Sequence, residues 1–272
     1  MNSYQFIHHE SYSIYQRKNS NRRTAISILL EATREEGSCS HILAPQKPII
    51  LYGESPLDLI PKLELIRKNG IDKNGKKIRK DGQLLGGSVA SIPLEPSLEN
   101  LQKPEVKQWI KDAHIFFKNE FGDSYKSLVL HLDESKIHIH AYHLAPLNAE
   151  DNSVDIDVIH PGYKAQRSVN KKAGRTAKKI AYNTAMRAFQ DRYFCQVGLP
   201  NGQLRLGPKR LRLTRNEWVS AKNQAQLISN SLNKHKNENI HLRKKIKQLI
   251  DYTKNIFTNK NKNNTSRENN YE

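Results

Sequence analysis

The sequence predicts an α+β fold, a central antiparallel sheet with packed helices, followed by a long C-terminal helix. Three observations predict it. Residues 127–132 and 137–144 alternate cleanly on either side of a turn made by Asp133, Glu134, Ser135 and Lys136, the pattern of a β-hairpin. Residues 104–121 place Val106, Trp109, Ile110, Ala113, Phe116 and Phe117 at helical spacing, one apolar face. From Asn216 to about Phe257 one helical register runs on without a strong breaker.

The remaining elements follow in order. Tyr4 to His9 is rich in aromatic and β-branched types and reads as a short strand. After the basic stretch Gln16 to Arg23, Thr24 to Glu35 carries Ile26, Leu29 and Leu30 at helical spacing. Pro45 and Pro48 interrupt the chain ahead of Ile49, Ile50, Leu51 and Tyr52. Leu57 to Lys68 is a second helix, with Leu57, Ile60, Leu63 and Ile66 on one face and Pro61 in or near its first turn. Asn69 to Gly82 is a glycine- and lysine-rich loop or hairpin. Leu84 to Ile92 is a strand weakened by two glycines and closed by Pro93. Pro104 suits the first turn of the helix it opens, and Gly122 stops that helix. Gly162 to Val197 is helical, broken near Gly174, and Gly198 to Arg215 is a basic loop.

The last helix has a register through Ala221, Ala225, Ile228, Leu232, His235, Asn239, Leu242, Ile246, Leu249, Thr253 and Ile256, poor at His235 and Asn239. A homodimeric coiled coil through this helix and packing back on the domain are both compatible with it. The expected division is a catalytic α/β domain over 1–215, a helical extension over 216–258 and a disordered Asn/Lys-rich tail over 259–272.

Composition narrows the partner. The chain has 45 Lys and Arg against 27 Asp and Glu, a net charge of +18, which points to a polyanion. The excess is clustered. From Tyr163 to Arg215 fourteen cations face the single acid Asp191, so 14 − 1 gives +13 in that belt. A solvated helix face carries interspersed Glu, and this segment has none. Contact with DNA phosphates is therefore expected from Arg175, Lys178, Lys179, Arg205, Lys209, Arg210, Arg212 and Arg215. Ile180, Ala181, Ala185, Ala188, Phe189 and Phe194 are expected to be core. Cys39 and Cys195 stand alone, with no metal-like spacing, and the N-terminus has no signal pattern; no segment is apolar enough for a membrane span. A soluble cytoplasmic protein is the expectation.

The chemistry concentrates in the hairpin. Alternate residues of a strand share a face. His138, His140 and Tyr142 therefore point one way, and Ile137, Ile139 and Ala141 point to a core. On the partner strand Leu128, Leu130 and Leu132 take the core face and leave Val129 and His131 opposite. Three imidazoles, His131, His138 and His140, thus meet on one polar face, a natural site for a divalent ion. Asp133 and Glu134 in the turn are placed to orient a histidine or accept a proton. A bare polar strand face would explain one histidine, not three beside two carboxylates. His-x-His on a strand also occurs in cupin-type metal oxygenases; the basic charge and helix-rich second half speak against that reading.

The segment HLDESKIHIHAYHLAP (131–146) closely resembles the third motif of the MobV, or Pre/Mob, mobilisation and recombination relaxases, HxDExxPHxH followed by an apolar strand ending in Pro. HPG (160–162), AYNTAMRAFQDRY (181–193) and GPKRLRLTRNEW (207–218) are similar to that family's downstream segments, and FIHHESYS (6–13) looks like its N-terminal segment in some branches. Ile137 replaces the family's Pro. The usual HNxR first motif is not present as such, and His8, His9 and Glu10 stand in its region.

The resemblance implies the HUH endonuclease fold and a divalent metal, Mn2+ or Mg2+, on His131, His138 and His140. It implies Glu134 as helper of the nucleophile. The nucleophile itself is sought among His8, His9, Tyr12 and Tyr15, with His8 matching the family position. The implied activity is nicking of one strand of plasmid DNA at a transfer origin, single-stranded or extruded as a hairpin, through a covalent 5′-phosphate link. A helper plasmid's conjugation machinery is an implied partner. The competing expectation is a non-catalytic DNA-binding protein with a structural metal.

Overall fold

The computed structural model describes residues 3–16, 22–170, 172–206 and 214–268, with side chains described as far as residue 250. Five antiparallel strands form the sheet in the order β2-β4-β6-β5-β3: β2 (Phe6–Ser13), β3 (Ile49–Gly53), β4 (Gln83–Ser91), β5 (Tyr125–His131) and β6 (His138–Leu144). A two-stranded parallel ribbon joins β1 (Ser3–Tyr4) to β7 (Gln203–Leu204). Seven helices surround these strands among the described residues: α1 (Ala25–Ala32), α2 (Leu59–Asn69), α3 (Leu98–Gln102), α4 (Pro104–Phe121), α5 (Pro161–Ser168), α6 (Arg175–Tyr193) and α7 (Arg215–Glu268).

Local chemistry explains the boundaries. Thr24 caps α1 by accepting from the Ser27 amide, and the Ser27 side chain accepts from the Thr24 amide in return. Pro104 occupies the first turn of α4, and Gly122 ends it with φ of 50°, a backbone few other residues adopt. The helix is bounded as its apolar spacing predicts. α2 begins two residues later than expected and buries Leu59, Leu63 and Ile66.

The centre of the sheet is buried on both faces, where the sequence led us to expect one apolar and one polar face. On the first face Leu128, Leu130, Ile139 and Ala141 pack against Trp109, Phe116 and Phe117 of α4 and Phe189 and Tyr193 of α6. On the second, Leu85, Val129, Tyr142 and Leu144 meet Ala25, Leu29 and Ala32 of α1 and Leu59 and Leu63 of α2. The alternation was correct; the face opposite Ile139 simply has an apolar end and a polar end. β4 is an inner strand, and Gly86 is a steric requirement while Gly87 sits in a tight space. A Cβ on Gly86 would lie 2.8 Å from the Ile159 carbonyl oxygen, and one on Gly87 would lie 3.1 Å from the Tyr12 ring.

α6 departs from expectation. Phe189 is fully buried, but Ile180 is 61% exposed because the first turns of α6 extend past the core. α7 docks by its first third: Ala225 and Ser229 are buried, and the Ser229 hydroxyl donates to the Pro200 carbonyl at 2.7 Å. Farther along, Leu242, Ile246 and Leu249 of the apolar register are exposed. The helix continues to Glu268, past the end expected near residue 258. Among the described residues no helix is long and apolar enough to cross a membrane.

Candidate metal centre

The second sheet face carries the site at its polar end. Cross-strand register places His131 of β5 directly opposite His138 of β6, with His140 two residues along β6. The three rings lie 4.7–5.1 Å apart between centroids. One nitrogen from each falls within 4.8 Å of the others.

The hydrogen bonds decide which nitrogens are available. A carbonyl only accepts, so His131 Nε2 donates to Ala32 O at 2.8 Å and His138 Nδ1 donates to Lys136 O at 2.9 Å. That leaves His131 Nδ1 and His138 Nε2 as the nitrogens turned towards the site, and these two atoms face each other at 3.2 Å. That approach is satisfied by a proton on His138 Nε2 or by a metal ion held between the two nitrogens. Nitrogens at about 2.1 Å from a common ion are separated by roughly 3.0–3.4 Å, so the spacing fits. Burial lowers the His131 pKa to about 4, helped by the nearby Arg34 charge, and burial also drives His140 well down. Both rings are therefore neutral at physiological pH, the form in which an imidazole can bind a metal.

Arg34 was not singled out from the sequence. It follows α1 with a left-handed φ of 62°, and its side chain is 2% exposed. Its Nε donates to Asp133 Oδ2 at 2.7 Å and its Nη2 to Asp133 Oδ1 at 2.8 Å and Glu134 Oε1 at 2.9 Å. Burial raises the Asp133 carboxyl, but bonds from Arg34 and from the Gln46 amide outweigh it and hold the pKa at about 2. Glu134 Oε1 also lies 3.3 Å from His138 Nε2. Asp133 thus anchors the turn, and Glu134 reaches the histidines.

The nucleophile candidates separate by face. His8 pairs with Val89, and Val89 pairs with His140, so His8 lies on the histidine face two strands away, about 10 Å between backbones. Its Nε2 lies 3.2 Å from Glu10 Oε1, and that hydrogen bond raises the His8 pKa. His9 points to the opposite face. Its Nδ1 meets Ser88 Oγ at 2.7 Å and its Nε2 donates to Ile159 O at 2.8 Å, so it is closed to a substrate at the histidine trio. Tyr12 shares the face of His8 but packs at the second core, and burial raises its pKa. Tyr15 lies under the Arg67 guanidinium.

His9 belongs to a buried group that spacing did not reveal, with His143 and His160. Burial lowers His9 to about 3 and His160 to about 4, and drives His143 well down. These folded-state values lie below the ordinary 6.5, so the unfolded chain takes up protons that the folded one refuses. Stability is whole above pH 6.5 and is lost as pH falls through 6.5 towards 4 and then 3. His9→Gln is expected to flatten that loss by up to about 1.4 kcal/mol per pH unit, read from urea midpoints between pH 7 and 4. An unchanged slope would show that His9 does not contribute to it.

The basic belt is only partly free for DNA. Arg175 and Lys179 on α6 and Arg215 at the start of α7 are exposed, and Lys178 is half-buried. Arg205 is instead bound to Asp191 at 2.6 Å, Arg192 to Glu120 and Arg167 to Asp157. Lys209, Arg210 and Arg212 lie outside the described residues.

A family model described as plasmid recombination enzyme (Mob_Pre) matches residues 64–216, more than half of the chain and all of the histidine hairpin. His8 lies outside that span. No curated protein matches the sequence significantly. Among solved structures, the MobM relaxase domain (MOBV; Mob_Pre) bound to 26-nucleotide pMV158 oriT DNA is similar at 12% identity and a TM-score of 0.41, over 74% of this chain and 90% of that one. A Mn-bound crystal structure of the same domain with a 22-nucleotide oriT DNA bearing a 3′ thiophosphate is similar at 16% identity and a TM-score of 0.37, over 64% and 91%. A structure described as the molecular basis of vancomycin resistance transfer in Staphylococcus aureus is similar at 15% identity and a TM-score of 0.38, over 75% and 97%.

Proposed function

We propose, because this chain belongs to the Mob_Pre family of plasmid recombination enzymes, that it is a relaxase that nicks one strand of plasmid DNA by transesterification. The observation that supports this most directly is the convergence of His131 Nδ1 and His138 Nε2 beside His140. His131, His138 and His140 would hold a divalent ion, Mn2+ or Mg2+. When bound, the ion polarises a phosphoryl oxygen and offsets the charge that builds on it.

The chain's own residues do the rest. Exposed Arg175, Lys179 and Arg215 follow the phosphates of the strand. Arg34 and Asp133 fix the turn so that Glu134 stays at the mouth of the site. His8, across β4 on the same face, attacks phosphorus through Nδ1 while Glu10 accepts from Nε2. A P–N bond forms and the P–O3′ bond breaks. The 3′ oxygen takes a proton from water, and the Nε2 proton passes by way of Glu10 to solvent. The products are a free 3′-OH and a 5′-phosphate linked to His8, and the reverse step reseals the strand.

The test is incubation of the protein with its supercoiled plasmid, with and without Mn2+, followed by a denaturing gel and mass spectrometry of the adduct. A metal-dependent open circle with the phosphopeptide at His8 supports the reading. Tight binding with no nick overturns it in favour of a DNA-binding protein with a structural metal.

The pH profile gives a second check. Attack needs neutral His8, and its hydrogen bond to Glu10 raises its pKa above 6.5. The nicking rate should therefore fall as pH drops through a value above 6.5. Glu10→Gln should move that limb to lower pH. A limb that stays in place would exclude His8 as the titrating group.

A further inference from the structure

The histidine face continues outward onto an aromatic surface. Phe6 of β2 pairs with Ser91 of β4, and Ser91 pairs with His138, which is opposite His131. Phe6, Ser91, His138 and His131 are thus one cross-strand row on one face of the sheet. α1 closes over the inner part of this row, where Ala32 O meets His131 Nε2, and the row opens outward at β2, where Phe6 is 47% exposed. Two residues back, on the same side of the chain, Tyr4 is 45% exposed and meets Trp218 of α7 edge-on, with ring centroids 6.1 Å apart. Gln5, between them, turns inward and donates to Gln190 O at 3.1 Å, which fixes the outward direction of its neighbours. Exposed Arg215 lies one helical turn from Trp218.

A soluble face pays in hydration free energy for an exposed phenyl ring at the rim of a polar site, and here the ring lies in line with two proposed metal ligands. Aromatic rings in sequence beside cations are what a single strand of nucleic acid requires, because every unpaired base has a π-face and every link a phosphate. A duplex keeps its base faces stacked internally and offers Phe6 none. We propose that Phe6 is a stacking platform for an unpaired DNA base next to the scissile phosphate, and that the strand runs on from it past Tyr4 and Trp218. The inference rests on the reading above that the substrate is a DNA strand, and it assigns a binding residue rather than a catalytic one.

The test measures binding without chemistry. Fluorescence anisotropy is recorded with the full chain, in EDTA, on fluorescein-labelled dT20, on an abasic 20-mer with the same phosphates, and on a duplex of equal length. Wild-type protein should prefer dT20 to the abasic strand. Phe6→Ala should bind dT20 about tenfold more weakly, with affinity for the abasic strand unchanged, and Phe6→Trp should restore the preference. Isothermal titration with Mn2+ should give the same affinity for wild type and Phe6→Ala, which separates a lost platform from a damaged site. The proposal is overturned if Phe6→Ala binds dT20 as wild type does, if it weakens both strands equally, or if wild type binds the duplex as well as dT20. Because nicking is not read, failure of the relaxase reading would show separately, in the plasmid assay.

Discussion

His138→Ala should abolish strand nicking and leave DNA affinity within about twofold, since the proposed phosphate contacts lie on α6 and α7 rather than in the hairpin. The reason lies in the tautomers. His138 Nδ1 is committed to Lys136 O, so Nε2 is the only nitrogen that ring can offer, and it is the one facing His131 Nδ1. Replacing it leaves two ligands and an uncovered cleft beside Glu134. Loss of an outer partner of a metal ligand already costs roughly 10–100-fold in affinity, so loss of the ligand should exceed about 100-fold. Calorimetric titration with Mn2+ and a plasmid nicking gel measure the two effects. Retained nicking under chelation would sink the metal-assisted mechanism. If His138→Ala unfolds instead, the ion is structural, and circular dichroism of the wild type in EDTA would show the same loss.

Arg34→Met should produce the largest loss of stability of any substitution near the site. Arg34 and Asp133 are 2% and 1% exposed, and their two-pronged contact is closed to water. Removing the guanidinium leaves a buried carboxylate without its counter-charge, at a cost of about 3–5 kcal/mol, or roughly 10 °C in melting temperature for a domain of this size. Arg34→Lys should recover only part of this, because an ammonium cannot serve both Asp133 oxygens and Glu134 in one plane. The pair Arg34→Met with Asp133→Asn removes both charges and should regain most of the stability. It should not regain Mn2+ affinity, since Glu134 remains unheld beside His138. Differential scanning calorimetry with Mn2+ titration distinguishes the outcomes. Full metal affinity in the stable double variant would show that Arg34 serves the fold alone.

The hairpin was legible because its information is local. Alternation over a few residues, a polar turn and three histidines of matching parity fix both the register and the face. α4 was equally legible, since its apolar spacing and its bounding Pro104 and Gly122 are all in one window. What escaped depends on distance along the chain. Arg34 meets Asp133 across 99 residues, and nothing around Thr33 or Glu35 marks it. Counting charge between 163 and 215 missed Glu120 and Asp157, which lie outside that window and neutralise Arg192 and Arg167. His9 and His160 are brought together by packing of α5 and α6 on the sheet, which no periodicity reports. The second core was hidden by residue type. Tyr142 and the histidines counted as a polar face, although α1 and α2 bury Tyr142 with Val129 and Leu144.

The two cores have a consequence for the life of the protein in a cell. The aromatic side, from Trp109 to Tyr193, and the aliphatic side under α1 and α2 each close without any contribution from an ion. Folding and metal loading should then be separable, so circular dichroism of the wild type should be the same in EDTA and in Mn2+. On the proposed reading a metal-free chain would stay folded, and scarcity of the ion would idle nicking without unfolding the molecule. Supply of the ion would then set when a standing pool becomes active, and synthesis how large that pool is.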